Sequence, residues 1–588
     1  MATATPLGTT GSATIADLLP RSVELFGDRV AQKHKVAGEW RNITFAEVGE
    51  IVSEIGRGLI DLGIEPGERI SMLCTTRVEW AWCSLAISAV GAVVVPIYPT
   101  NSPDECAWVA GNSESAAIVC EDASQVAKIE SVRDRLPNLR DVIVIDGGPD
   151  QLRVRGRARD RAELDARIEQ VTQADPYTFI YTSGTTGPPK GCVLTHGNYR
   201  SVLDMVAERG IVGDGSDELI YLFLPLAHAF ALLLMLSSAD RGVAIAYWGG
   251  DTAKIIPELA EVHPTYLPSV PRIFEKLYTL VTSQADPELI AKATQIGLEV
   301  RALEFTGAEI PDELRGAYEQ ADERLFKHVR AAFGGRLREA VTGAAPIAKE
   351  ILEFFYAAGV SVMEGYGMTE TSTAATAMRP GEHRFGSVGT ALPGVEIRIA
   401  DDGEILLKGA NIFQGYYNND DASFGAVLDG WLHTGDLGRL DDDGFLYITG
   451  RKKDIIITAG GKNLTPANLE NDLKQTRYVS QAVMHGDRRP FPTMLITLDE
   501  DEIVPWATAR GIEDTSMPAL ARHPDVVALV QAELDNANAN YAQVGQVKRF
   551  FILEHDLSYE TGELTPTLKV KRNVIHEKYA ERFDELYR

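Results

Sequence analysis

Short apolar runs rich in β-branched residues recur along the chain. They are RISMLC (69–74), AVVVPIY (92–98), AAIVCED (116–122), DVIVID (141–146), YTFIYTSG (177–184), ELIYLFLP (218–225) and GVAIAYWG (242–249). Each has the length of a buried strand. Between them lie amphipathic segments of helical period, such as FAEVGEIVSEIGRGLIDLG (45–63) and ADERLFKHVRAAFG (321–334). Strand and helix alternating in this way predict largely parallel sheets covered by helices. One uncharged stretch, residues 80–103, is long enough to raise a membrane span. Gly91 and Pro96 interrupt it, and its character changes midway from helix-like to β-branched. A buried helix feeding a buried strand is therefore expected. The arginine-rich segment 153–169 carries interspersed acids and reads as a solvated helix face.

From about residue 386 the pattern changes. GSVGTALPGVEIRIADDGEILLKG reads as short strands joined by Gly, Pro and Asp turns. After the charged stretch GRKKDIIITAGGKN (450–463), the remaining residues have their own strands, VSQAVMHG and PTMLITL, and their own helices, enough for a small domain. The expected fold class is α/β. A large N-terminal domain (1–452) would hold mainly parallel sheets with helices and a β-rich subdomain (about 386–450). A small mobile α+β C-terminal domain (453–588) would follow.

A chain of 588 residues is too long for one core. Its net charge of −27 argues against non-specific nucleic-acid binding. An anionic ligand would have to be held against that field by local cations, backbone N–H groups or a metal. The five scattered cysteines form no C-x-x-C pair, so neither a disulfide framework nor a zinc site is expected, and a reducing cytoplasm fits. The N-terminus has no basic region followed by an apolar one, so a signal peptide is not expected.

Four motifs carry candidate chemistry. YTSGTTGPPKG (181–191) follows a strand and precedes a helix expected from about Asn198. Its glycines, the hydroxyls of Thr182, Ser183, Thr185 and Thr186, and Lys190 suit a loop that wraps an anion. It is not a Walker A loop, because two prolines separate Gly187 from the lysine. EGYGMTET (364–371) places Tyr366 between two glycines, where its ring is free to lie on a planar ligand, and offers the Thr369 hydroxyl and the Glu370 carboxylate. A carboxylate beside a polyphosphate implies magnesium. DGWLHTGDLGRLDDDGFLYITGRKKD (429–454) offers Asp436 for ribose hydroxyls. GELTPTLKVKRNVI (562–575) puts Lys569 at the start of an expected helix. Alone, each motif has an ordinary reading: a Ser/Gly turn, a packed tyrosine turn, a charged linker and a solvated terminal face.

Together with TGAAPI (342–347) and GRKKDIIITAGGKNLTP (450–466), the motifs resemble, in order and across essentially the whole chain, those of the adenylate-forming, AMP-binding acyl-CoA synthetases. Within that family the sequence looks like bacterial long-chain fatty-acid–CoA ligases. The resemblance implies a two-step reaction. A fatty carboxylate attacks the α-phosphate of ATP, giving acyl-AMP and pyrophosphate; the thiol of coenzyme A then displaces AMP. It implies that Lys190 with Thr182, Ser183, Gly184, Thr185 and Thr186 holds the β- and γ-phosphates. Glu370 would bind Mg²⁺, Thr369 the α-phosphate, and Lys569 would bridge carboxylate and α-phosphate. Gly343, Ala344, Ala345 and Tyr366 would line the adenine site, with Asp436 and Arg451 on the ribose, and Glu364, Gly365 and Gly367 would also bind the nucleotide. Lys453 is the implied hinge, Gly460 and Gly461 would meet coenzyme A, and Lys462 the ATP phosphates.

PLAHAFALLLML (225–236) places His228 at the mouth of an apolar run. It stands either beside the acyl group or as a satisfied histidine at a buried helix start. The apolar continuation favours an aliphatic chain, and no Asp follows closely to meet an amino-acid ammonium. The alternative within the family is a fatty acyl-AMP ligase loading an acyl carrier protein. Outside it, a nucleotide sensor without chemistry would have no need of Lys569. A cytoplasmic enzyme without a transmembrane segment is expected, with peripheral contact at the inner membrane face left open.

Overall fold

The computed structural model describes residues 5, 7–146, 148–182, 188–213, 215, 217–282, 285–379, 381–565 and 569–588. Two large sheets dominate the N-terminal part. A seven-stranded sheet has the order 415–416, 190–195, 176–182, 93–97, 69–73, 117–120, 141–144. A nine-stranded sheet has the order 390–391, 376–377, 361–366, 339–342, 266–269, 219–222, 244–247, 30–36, 39–44. The centres of both are parallel; the nine-stranded sheet has antiparallel pairs at both edges, and the seven-stranded sheet only at the edge formed by 190–195 and 415–416. The apolar runs become strands because helices cover both faces of these centres, so side chains on either face are buried.

The uncharged stretch resolves as predicted into the buried helix Val78–Ala89 and the fully buried strand Val93–Ile97. No helix among the described residues is long and apolar enough to cross a membrane. The helix Phe45–Asp61 opens with a capping box between Thr44 and Glu47. The arginine-rich segment departs from expectation. It forms the two helices Asp150–Arg157 and Arg161–Gln170, and Arg153 and Arg157 both clamp the buried carboxylate of Glu54, at 2.6 Å each. A carboxylate out of water requires such partners.

Residues 396–451 fold into a five-stranded sheet, the β-rich unit expected there. The C-terminal residues build a three-stranded sheet in which Thr493–Leu498 pairs antiparallel with Val479–His485 and parallel with Arg549–Ile552. The apolar clusters of the large part end by Ile448, and those of the small part begin at Ile456. The molecule therefore has two separate cores. The short stretch between them holds the 3₁₀ turn Lys452–Asp454.

Candidate active site

A cavity of about 680 Å³ opens between the two large sheets, the five-stranded sheet and the small domain. Strand ends and the turns after them supply its polar groups. Gly343 and Ala344 follow the strand Glu339–Thr342, and Gly365–Glu370 follow from the strand Ser361–Tyr366. Ala344 holds a positive φ of 68°, a left-handed conformation uncommon for any residue but glycine. Gly367 sits so tightly that a methyl group there would lie 2.0 Å from the carbonyl oxygen of Thr373. The tyrosine between the two glycines is thus fixed by its backbone as well as by its hydroxyl.

Tyr366 Oη donates to Asp436 Oδ2 at 2.8 Å. Arg451 Nε meets the other oxygen, Oδ1, at 2.8 Å across the antiparallel register that pairs Asp436 with Arg451. Asp436 is buried, and its own N–H donates to Thr434 Oγ1 at 3.1 Å. Each carboxylate oxygen keeps a further lone pair for a ligand hydroxyl. Glu370 is also buried, in the 3₁₀ turn Thr369–Thr371, and Tyr416 Oη donates to its Oε1 at 2.7 Å. The Tyr416 ring in turn lies 5.1 Å from Lys190 Nζ. Among the described residues no cation pairs with Glu370, and no cluster of three potential metal ligands exists. One carboxylate with water and phosphate oxygens is the donor set that magnesium takes, so the residues fit that ion.

Lys569 enters this cavity from the other core. Its N–H donates to Thr565 Oγ1 at 3.0 Å, and Thr565 N–H donates back to its carbonyl at 2.8 Å. Burial holds the ammonium below the ordinary lysine pKa; Arg451 pushes the same way, while Asp436 and Glu370 oppose it. Lys569 precedes the helix Arg572–Lys578 in a bridged turn instead of opening that helix as expected. His228 caps the buried helix Ala229–Arg241, its Nδ1 accepting the Phe230 N–H at 3.2 Å. Burial and the Lys569 ammonium lower its pKa to about 4. The imidazole is therefore neutral near pH 7 and carries its proton on Nε2, the nitrogen left to the cavity. Beyond it Phe230, Leu233, Leu234, Val206 and Ile211 make an apolar wall.

Several sequence expectations are corrected here. The helix expected from about Asn198 is present as His196–Arg209, but the strand Lys190–Thr195, which the sequence reading missed, lies between it and the loop YTSGTTGPPKG. The strands Pro176–Thr182 and Lys190–Thr195 pair antiparallel, so the loop is a hairpin tip and the helix His196–Arg209 begins only afterwards. Ser183, Gly184, Thr185 and Thr186 lie outside the described residues. Thr182, Lys190, Thr369 and Lys453 line the cavity, but Ala345 is exposed and does not. Glu364 turns away from it into the protein, where burial raises its carboxyl to about 8 and Oε2 finds no partner among the described residues. Gly460, Gly461 and Lys462 are exposed outside the cavity in this arrangement of the cores. Two residues escaped the sequence reading. Tyr416 reaches Glu370 only through the pairing of Gly415–Tyr416 with Cys192 and Val193, and Trp108 Nε1 donates to the Pro189 carbonyl at 2.8 Å. Neither contact leaves a local signal in sequence, because both depend on segments brought together by folding.

The arrangement, two cores closing on one nucleotide-sized cavity, is the fold of solved acid–thiol ligases. An anthranilate CoA ligase, AuaEII, solved with anthranoyl-AMP, superposes with a TM-score of 0.74 at 20% identity, covering 97% of this chain and 98% of that one. The o-succinylbenzoate CoA synthetase of Bacillus subtilis, solved with ATP and magnesium ion, gives 0.67 at 21%, covering 95% and 98%. Residues 19–417 match the family described as AMP-binding enzyme, and residues 453–588 match the AMP-binding enzyme C-terminal domain. The chain belongs to the AMP-binding enzyme family. Among curated relatives, the long-chain-fatty-acid–CoA ligase FadD15 of Mycobacterium tuberculosis is 38% identical, over 95% of this chain and 94% of its own. The long-chain-fatty-acid–CoA ligase ACSBG2 of Xenopus laevis is 33% identical over 98% and 84%.

Proposed function

We propose that this chain is an AMP-forming long-chain fatty acyl-CoA ligase. The observation that carries the reading is the convergence of Lys569, from the small core, on the cavity that holds Asp436, Arg451 and Glu370 at one end and an apolar wall at the other. That arrangement joins a nucleotide end to an aliphatic end, with an ammonium where the two would meet. The names of the relatives supply the substrate class.

In this reading Asp436 and Arg451 hold the ribose, Tyr366 stacks on adenine, and Gly343, Ala344, Gly365 and Gly367 let the ring approach the backbone. Lys190 and the hairpin tip hold the β- and γ-phosphates and leave with pyrophosphate. Glu370 and Thr369 stand at the α-phosphate. Magnesium bound at Glu370 would offset phosphate charge. The chemical difficulty is that one anion attacks another. Lys569 offsets it by bridging the carboxylate and the α-phosphate, with the His228 Nε2–H as a neighbouring donor. An electrostatic contact of this kind lowers a barrier by about 3–4 kcal/mol. Thioester formation then needs a different arrangement. Rotation of residues 453–588 against 1–452 at Lys453 withdraws Lys569 and brings Gly460 and Gly461 to the pantetheine. Lys462 follows with that loop.

The test is an assay with palmitate, ATP, Mg²⁺ and coenzyme A that follows AMP and thioester together. Both products are expected in equal amounts. Adenylate without thioester would point to carrier-protein loading, and neither product would refute the ligase reading.

A further inference from the structure

Away from the cavity, two ion pairs among the described residues join the cores. Asp499 caps the small-domain helix Glu500–Ala509, its Oδ1 accepting the Asp501 N–H at 3.1 Å. Its Oδ2 takes the guanidinium of Arg272, on the large-domain helix Pro271–Thr282. One turn along, Lys276 meets Asp501 at 3.7 Å. Arg272 also lies 3.7 Å from Glu275 of its own helix, whose carboxyl is raised in pKa by burial and pulled down by Arg272 and by Lys474 of the small domain. Arg272 thus stands between a carboxylate of each domain. None of Arg272, Glu275, Lys276, Asp499 and Asp501 lines the cavity.

These contacts are made in the arrangement of the cores that inserts Lys569. We propose that Arg272 is a positioning residue for the adenylation step: its pair with Asp499 latches the small domain with Lys569 in the cavity, and rotation toward thioester formation releases it. The inference rests on the ligase reading for its consequence and on the interface alone for its geometry. The strength of the latch suits alternation. The Asp499 side chain is 14% exposed and that of Arg272 38%. A partly exposed pair biases an equilibrium by up to about fivefold, enough to favour one orientation without trapping it. Both partners regain water when the domain turns, so opening leaves no unpaired buried charge.

The variants are Arg272→Gln, Asp499→Asn and the swap Arg272→Asp with Asp499→Arg. Asparagine keeps an oxygen to cap the helix, so Asp499→Asn removes the charge while sparing the fold. Adenylation is read by palmitate-dependent ATP–pyrophosphate exchange, and thioesterification by turnover of supplied palmitoyl-AMP. Orientation is read without substrate by a dye pair on Lys292→Cys and Glu513→Cys, both exposed, since the five native cysteines are all buried. Each single variant is expected to slow adenylation by about threefold to fivefold, leave thioesterification unchanged or faster, and shift the dye-pair distance; the swap restores all three. Unchanged adenylation, equal loss of both halves, an unmoved dye pair or a swap without rescue would each overturn the latch. A wild-type protein that activates no fatty acid would instead refute the ligase reading, and the dye pair would still decide the latch.

Discussion

At the scale of single residues, the carboxylates in and beside the site differ in the partners that surround them. Asp436 has a guanidinium, a phenol and its own turn around it, whereas Glu370 takes the Tyr416 hydroxyl and, among the described residues, no cation. Tyr416→Phe removes that donor and leaves the ring beneath Lys190 in place. A lost hydrogen bond to a charged group costs about 1–3 kcal/mol. The variant is expected to need roughly tenfold more Mg²⁺ for half-maximal adenylation, measured by titrating the metal at fixed ATP. Glu364 is the opposite case, a buried carboxyl raised to about 8. Its native state holds a proton that the unfolded chain gives up near pH 4.5. The group's stabilising contribution is complete below pH 4.5 and is lost as pH rises through 8. Glu364→Gln should therefore melt higher than wild type by a margin that grows from pH 5 to 8 and then levels, reaching at most about 4–5 kcal/mol. A margin independent of pH would contradict the assignment.

At the scale of elements, the alternation of strands and helices was legible because buried strands and amphipathic helices differ in period. The helix–strand split of residues 80–97 followed from Gly91 and a change to β-branched residues. What sequence hid was pairing. Nothing in YTSGTTGPPKG distinguishes a loop before a helix from a hairpin tip; the strand Lys190–Thr195 is short and mixed in character, and only its partner makes it a strand. The arginine-rich segment misled for a similar reason. Its acids suggested solvent, but Arg153 and Arg157 face Glu54 across a close helix pair. That pair depends on glycine: a methyl group on Gly156 would lie 1.8 Å from the Glu54 carbonyl oxygen, and one on Gly58 2.2 Å from that of Leu152. Gly156→Ala should lower the melting temperature, with a cost of about 1–3 kcal/mol. Its activity per folded molecule should be unchanged. Unaltered melting would mean that the helices separate freely.

At the scale of the whole molecule, the chemistry lies between two cores. The ordered motifs made the family legible, because each keeps its own residues regardless of how the domains sit. Their meeting place was not legible, since Lys569 and Lys190 belong to different cores. The burial that lowers the Lys569 pKa exists only while the domains are closed on each other. The alkaline limb of kcat/KM for adenylation should therefore fall at a pH below 10.5, the ordinary lysine value. Lys569→Arg, charged at all accessible pH, should lose that limb whatever its rate. A limb at 10.5 or above in wild type would mean that the lysine works exposed.

The central claim is that one lysine, delivered by domain closure, makes the acyl-adenylate and takes no part in the thioester step. The most direct measurement compares the two halves in Lys569→Ala and wild type: palmitoyl-AMP formed from palmitate and ATP without coenzyme A, and palmitoyl-CoA formed from supplied palmitoyl-AMP. The account predicts that adenylation falls by about 100-fold or more while thioester formation stays within about twofold of wild type. Equal loss of both halves, or adenylation that survives, would contradict it.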